Sequence, residues 1–111
     1  MQRSESDRLH EEAMTHLVGG VNSPVRAFKS VHGNPIYFKK ASGAIVTDAD
    51  GNEMVDFVQS WGPLIHGHAH PEILESVHEK MLNGTSFGAP HLGEIELAKL
   101  VKKRFTHMDM V

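Results

Sequence analysis

The sequence predicts an α+β chain: an N-terminal helix, a three-stranded antiparallel meander, and two C-terminal helices. Three observations carry this. Leu9, Ala13 and Leu17 recur at helical spacing near the start. Three short β-like runs follow, separated by Ser42-Gly43 and by Asp50-Gly51-Asn52, both turn signals at hairpin spacing. From Pro71 onward the apolar period becomes helical again.

The first helix has Ser4 or Ser6 as its expected N-cap, acids in its first turn and His16 in its last, with Gly19-Gly20 as the stop. Val21 to His32 has no clean period. Pro24 confines Ser23 to extended geometry, so this stretch reads as a loop, ordered or mobile. The strands are expected over Ile36 to Lys40, Ala44 to Asp48 and Glu53 to Val58. Pro71 suits the first position of the next helix, with His70 at the cap. Ile73, Leu74, Val77, Met81 and Leu82 form its apolar stripe, and Gly84 ends it. The last helix runs from Leu92 to about Phe105, with Ile95, Ala98, Val101 and Phe105 facing inward. These stripes have no parallel sheet in the chain to cover, so their partner surface is expected downstream or on another chain. The organisation divides into residues 1–60, helix, loop and meander, and residues 61–111, the helical part.

Composition narrows the function classes. Eleven basic against fourteen acidic side chains leave a net charge of −3, without the basic stripe of a phosphate-binding domain. With no cysteine, disulfides, thiolate metal sites and Cys nucleophiles are excluded, and a reducing cytoplasm is the expected setting. No apolar run approaches the roughly 18 residues of a membrane span. The polar, acid-bearing start is unlike a signal peptide.

Three constellations could carry chemistry. Arg26 offers a rigid fork that matches a carboxylate, Ser23 adds a hydroxyl, and Pro24 stiffens the loop between them. A surface arginine in a loop is the plainer alternative. Trp61, the sole tryptophan, sits in Ser60-Trp61-Gly62-Pro63, where it could wall a pocket or anchor a core. His66, His68 and His70 alternate, and in an extended segment three imidazoles would point to one side and could bind a metal. Helix capping and backbone contacts are the competing explanation. Asp48 to Asn52 has its glycine at the wrong place for a calcium loop and reads as a hairpin turn.

Taken together, these segments resemble one family. Gly19 to Phe28, reading GGVNSPVRAF, is similar to the signature loop of glutamate-1-semialdehyde aminomutases, members of the class III aminotransferases. Asp48 to Asn52 followed by Val55-Asp56-Phe57 resembles that superfamily's early hairpin. Ser60 to Pro63, Gly67-His68-Ala69-His70-Pro71 and Ser86 to Pro90 follow in the same order and at similar intervals. The resemblance covers almost the whole chain.

It implies the N-terminal part of a type I pyridoxal-phosphate transferase fold, a homodimer, and pyridoxal 5'-phosphate as cofactor. The implied reaction isomerises glutamate 1-semialdehyde to 5-aminolevulinate in tetrapyrrole synthesis. Arg26 and Ser23 would then bind the substrate carboxylate and Trp61 would line the pocket. Phe87, Gly88 and Ala89 would lie near the active site. No metal is implied, although His66 adds an imidazole ahead of the shared block. In that family the phosphate loop, the aspartate at the pyridine nitrogen, the gating loop and the Schiff-base lysine come after the position of Val111. The lysines present, Lys29, Lys39, Lys40, Lys80, Lys99, Lys102 and Lys103, match no cofactor motif. The 111 residues alone are therefore expected to be inactive and to hold the cofactor weakly at most.

Overall fold

A computed structural model describes residues 1–111. It contains three helices, α1 (Ser4–His16), α2 (Pro71–Met81) and α3 (Leu92–Arg104), and three strands, β1 (Phe38–Ser42), β2 (Ile45–Asp48) and β3 (Glu53–Val55). The predicted α+β class is the observed one. No helix is long and apolar enough to cross a membrane. Two compact units are formed by Met1–Leu74 and Glu75–Val111.

In the first unit the strands form an antiparallel sheet in the order β1-β2-β3. Ala41 pairs with Val46 and Val46 with Met54, which places β2 in the centre. Accordingly Val46, Thr47 and Asp48 are buried. Val46 is the core's buried aliphatic residue, and polar contacts carry much of the rest. Asp48 accepts the backbone N–H of Asn52 at 2.7 Å and its side-chain amide at 2.8 Å, which closes the β2–β3 turn. The same amide donates to Gln2 O at 2.7 Å and thereby reaches the start of α1.

That turn also caps α1. The expected caps, Ser4 and Ser6, do not serve: Arg3 holds the N-cap position without a side-chain cap bond. Asp50 accepts instead from the amides of Glu5 at 2.8 Å and Ser6 at 2.9 Å. A carboxylate at a helix N-terminus satisfies orphan donors and meets the positive end of the helix dipole. Ser6 is fully buried, and its hydroxyl accepts from the amide of Tyr37 at 3.5 Å. Arg3 donates to the carbonyl of Asn34, and the Asn34 amide donates to Asp7 at 3.0 Å, so α1 is fastened along its first turns. On its outer face Arg8 pairs with Glu5 at 2.7 Å and Glu12 at 3.0 Å. The helix ends at His16, ahead of the glycines, because Leu17 is already extended.

Strand bounds differ from expectation for local reasons. β1 starts at Phe38, with an irregular register between Phe38 and Lys40, and continues to Ser42. β3 stops at Val55, short of Val58. Asp56 accepts the amides of Val58 at 2.8 Å and Gln59 at 3.1 Å, turning the chain out of the ladder.

In the second unit α3 is capped by His91, whose Nδ1 accepts from Gly93 N at 3.1 Å, while Glu94 accepts from His91 N at 3.4 Å. This reciprocal pair is a capping box with an imidazole in the usual hydroxyl position. Val77, Met81, Ile95 and Phe105 of the predicted stripes are exposed, and Ala98 and Val101 half-exposed.

Candidate functional site

Ser23 and Arg26 lie in one turn. Pro24–Ala27 forms a single 3-10 turn, with Ser23 extended before it and Arg26 N donating to Ser23 O at 3.0 Å. Proline at the first position presets φ for this turn. The turn exits through Phe28 in the left-handed region at φ 55°. Arg26 is exposed and takes part in none of the chain's ion pairs, which are Arg8–Glu5, Arg8–Glu12 and Asp56–His68. Its guanidinium fork therefore remains available to an external carboxylate.

The start of this loop is anchored at Gly20, which is buried. Tyr37 Oη donates to Gly20 O at 3.4 Å and lies 3.3 Å from His10 Nδ1. A Cβ on Gly20 would sit 3.0 Å from both His10 and Met14, at φ 70°. A left-handed position this closely covered favours glycine.

Trp61 projects from a different kind of turn. Gln59, Ser60 and Trp61 adopt φ of 50°, 55° and 67°, and Gly62 follows at 113°. For non-glycine residues each such position is disfavoured by about 1–2 kcal/mol. Trp61 is 79% exposed, so its own packing does not secure the turn. Asp56 does: besides the amides of Val58 and Gln59, it binds His68 Nε2 at 2.7 Å. The His68 contact, followed by the Gln59 and Val58 amides, holds the Asp56 carboxyl below the usual carboxylate range.

The three histidines do not share a side. His68 turns to Asp56, whereas His66 and His70 meet each other edge to face with centroids 5.4 Å apart. Left-handed Gly67 (φ 78°) and Ala69 (φ 52°) break the alternation that an extended strand would give. No group of three His, Asp or Glu side chains is arranged to hold a metal ion. Pro71 opens α2 as predicted, with Leu74 N donating to His70 O at 3.0 Å, but His70 Nδ1 is shielded without a hydrogen-bond partner.

Phe87, Gly88 and Ala89 occupy the exposed loop ahead of α3. Phe87 stacks on the capping residue His91 with centroids 5.0 Å apart and planes 10° from parallel. It also packs against Gly84, where a Cβ would lie 3.3 Å from its ring. Lys80 borders an open hollow of about 300 Å³ with Ser76, Val77, Met81, Gly84 and Thr85.

Residues 27–110 match the family model described as Aminotransferase class-III. The chain belongs to the class-III aminotransferase family. Over all 111 residues this class-III segment is 55% identical to Glutamate-1-semialdehyde 2,1-aminomutase 2 of Brevibacillus brevis, of which it covers 26%. It spans about a quarter of the length of the curated relatives it matches. Among solved structures it is similar to a transaminase with PLP bound, at TM-score 0.84 and 40% identity, covering 94% of this chain and 24% of that one. A glutamate-1-semialdehyde-aminomutase from Pseudomonas aeruginosa PAO1 is similar at TM-score 0.81 and 26% identity, covering 93% of this chain and 22% of that one.

The sequence singles out Ser23, Arg26 and Trp61 as candidates but not the support beneath Trp61. Asp56 was visible only as part of a motif, and His68 as part of a motif and as one of three candidate metal ligands. An aspartate ahead of a polar turn signals local amide capture. Nothing in the twelve-residue spacing signals its meeting with His68.

Proposed function

We propose that the chain is the substrate-side N-terminal segment of a glutamate-1-semialdehyde 2,1-aminomutase, which isomerises glutamate 1-semialdehyde to 5-aminolevulinate in tetrapyrrole synthesis. The observation that carries this reading is the 55% identity to a protein of that name along the entire chain. Residues 1–60 would belong to the small domain, and residues 61–111 would lead into the cofactor-binding domain. The enzyme would act as a homodimer. Placement in the cytoplasm is supported by the cysteine-free composition.

The residues divide the work by chemistry. Arg26, unpaired and exposed on its proline-stiffened turn, clamps the substrate carboxylate through its two-pronged fork, and Ser23 contributes a hydroxyl. Trp61 walls the pocket and limits water. Phe87, Gly88 and Ala89 lie near the reacting centre. Pyridoxal 5'-phosphate, when bound, supplies the electron sink for moving the amino group between adjacent carbons. The residues here do not fit that group by themselves: all seven lysines are exposed, and the hollow that Lys80 borders is open and shares its lining with Ser76, Val77, Met81, Gly84 and Thr85. The cofactor is accordingly assigned to residues outside these 111, and the chain alone is inactive.

The test is turnover of glutamate 1-semialdehyde by the full-length enzyme carrying this segment. Arg26→Ala is expected to lower kcat/KM by about 10- to 100-fold, mostly through KM, the scale of a charge-assisted bidentate contact. An unchanged KM in that variant, or no 5-aminolevulinate from the parent enzyme, would sink the reading. The exposed apolar residues of α2 and α3 also favour a second reading, a non-catalytic interaction module. Light scattering on the chain showing stable oligomers, together with a catalytically silent full-length enzyme, would favour it.

A further inference from the structure

We propose that Asp56 and His68 are positioning residues for Trp61: their paired side chains hold the left-handed turn that presents the indole to substrate. The inference rests on Trp61 being a wall of the substrate pocket. An exposed indole is placed by the backbone beneath it, and that backbone is uphill, with three consecutive non-glycine residues at φ between 50° and 67°. Such a turn persists only where its surroundings over-determine it.

The surroundings here are few and specific. One Asp56 oxygen collects the amides of Val58 and Gln59, at 2.8 and 3.1 Å. Gln59 Nε2 returns to Asp56 O at 2.9 Å. The second Asp56 oxygen is held by His68 Nε2 at 2.7 Å, and both side chains are largely withdrawn from solvent. His68 is itself immobilised, because its N–H and C=O exchange hydrogen bonds with Gly43 at 2.8 and 2.9 Å. The preceding Gly67 passes so close that an added Cβ would stand 2.8 Å from Gly43 O. Asp56 N also donates to Ala44 O at 2.8 Å. A continuous support thus runs from the β1–β2 turn through His68 and Asp56 to the turn under Trp61. Without His68 the carboxylate keeps its two amides but loses the contact that fixes its orientation.

The experiment is a double-mutant cycle in the full-length enzyme, reading KM, kcat and the cofactor absorption band for Trp61→Ala, His68→Ala, His68→Gln and the Trp61→Ala/His68→Ala pair. His68→Ala is expected to lower kcat/KM about tenfold, chiefly through KM, with the cofactor band unchanged. His68→Gln, whose side-chain amide reaches Asp56, should recover most of the loss. In the Trp61→Ala background His68→Ala should cost less than about twofold. If Trp61→Ala raises KM and His68→Ala does not, or if the two losses simply add, the positioning role is overturned while the reading of Trp61 stands. If Trp61→Ala leaves KM unchanged, the pocket-wall reading fails first and this inference with it. Should His68→Ala not fold, His68→Asn, whose amide is too short to reach, takes its place in the cycle under the same criteria.

Discussion

The carboxylate of Asp50 accepts the backbone N–H of Ser6 at 2.9 Å from 44 residues away in sequence. It also accepts from Glu5 N at 2.8 Å and lies 3.4 Å from the Ser4 hydroxyl. The first amides of α1 are therefore capped by the β2–β3 turn and not by the side chain at the N-cap position, Arg3. Asp50→Ala removes the acceptor. Amide exchange at Glu5 and Ser6 is expected to quicken roughly five- to tenfold, the scale of a lost N-cap. Exchange at the α3 cap, Gly93, should not change. Hydrogen exchange read by NMR checks both.

Acid should loosen the first unit before the second. Partial burial opposes ionisation of Asp50, yet the Glu5 and Ser6 amides and the Ser6 and Ser4 hydroxyls outweigh it and leave its carboxyl below the ordinary range. Asp56 is likewise lowered, first by His68. A carboxyl depressed in the folded state stabilises it fully above the unfolded pKa, about 3.9, and loses that contribution as pH falls through the folded value. Denaturation midpoints should thus decline below about pH 4, and Asp50→Asn or Asp56→Asn should flatten the decline. Urea titrations at several pH values give the slope.

Gly67 and Gly51 separate a conformational cost from a steric one. Both are left-handed, at φ 78° and 88°, but a Cβ at Gly51 meets nothing within 4 Å whereas one at Gly67 meets Gly43 O at 2.8 Å. Gly51→Ala is expected to cost about 1 kcal/mol. Gly67→Ala is expected to cost about 2–4 kcal/mol, since backbone must move. Equal losses in equilibrium unfolding would contradict the close approach of Gly67 to Gly43.

His91 is an unusual cap. His91→Ser retains a side-chain acceptor in front of Glu94 and should hold α3 at least as well, within about 1 kcal/mol, although it gives up the stack on Phe87. His91→Ala loses both. Helical circular dichroism and Gly93 amide exchange should rank Ser above Ala.

With pyridoxal phosphate, the 111-residue chain should show no stable imine band. After borohydride reduction its intact mass should show no stoichiometric single adduct, because its seven lysines are all exposed and match no cofactor motif. One uniquely modified lysine would show a cofactor site within these residues.

Local sequence determined the helices, the hairpin turns and the meander. Apolar spacing, Pro71 and Gly84 act through neighbours within about four residues, so their consequences are legible in order along the chain. Around Ser23–Arg26 only a proline-stiffened loop, ordered or mobile, was legible, and the 3-10 turn over Pro24–Ala27 was not. Tertiary structure decided what distant polar groups do. Asp50 displaced Ser4 and Ser6 as the cap, Asp56 ended β3 at Val55, and His68 left the other two imidazoles for Asp56. The left-handed turn under Trp61 was hidden too, because Gln59 and Ser60 carry no mark of positive φ. Short polar side chains have no period, and which partner each one finds depends on where the folded backbone brings its donors and acceptors.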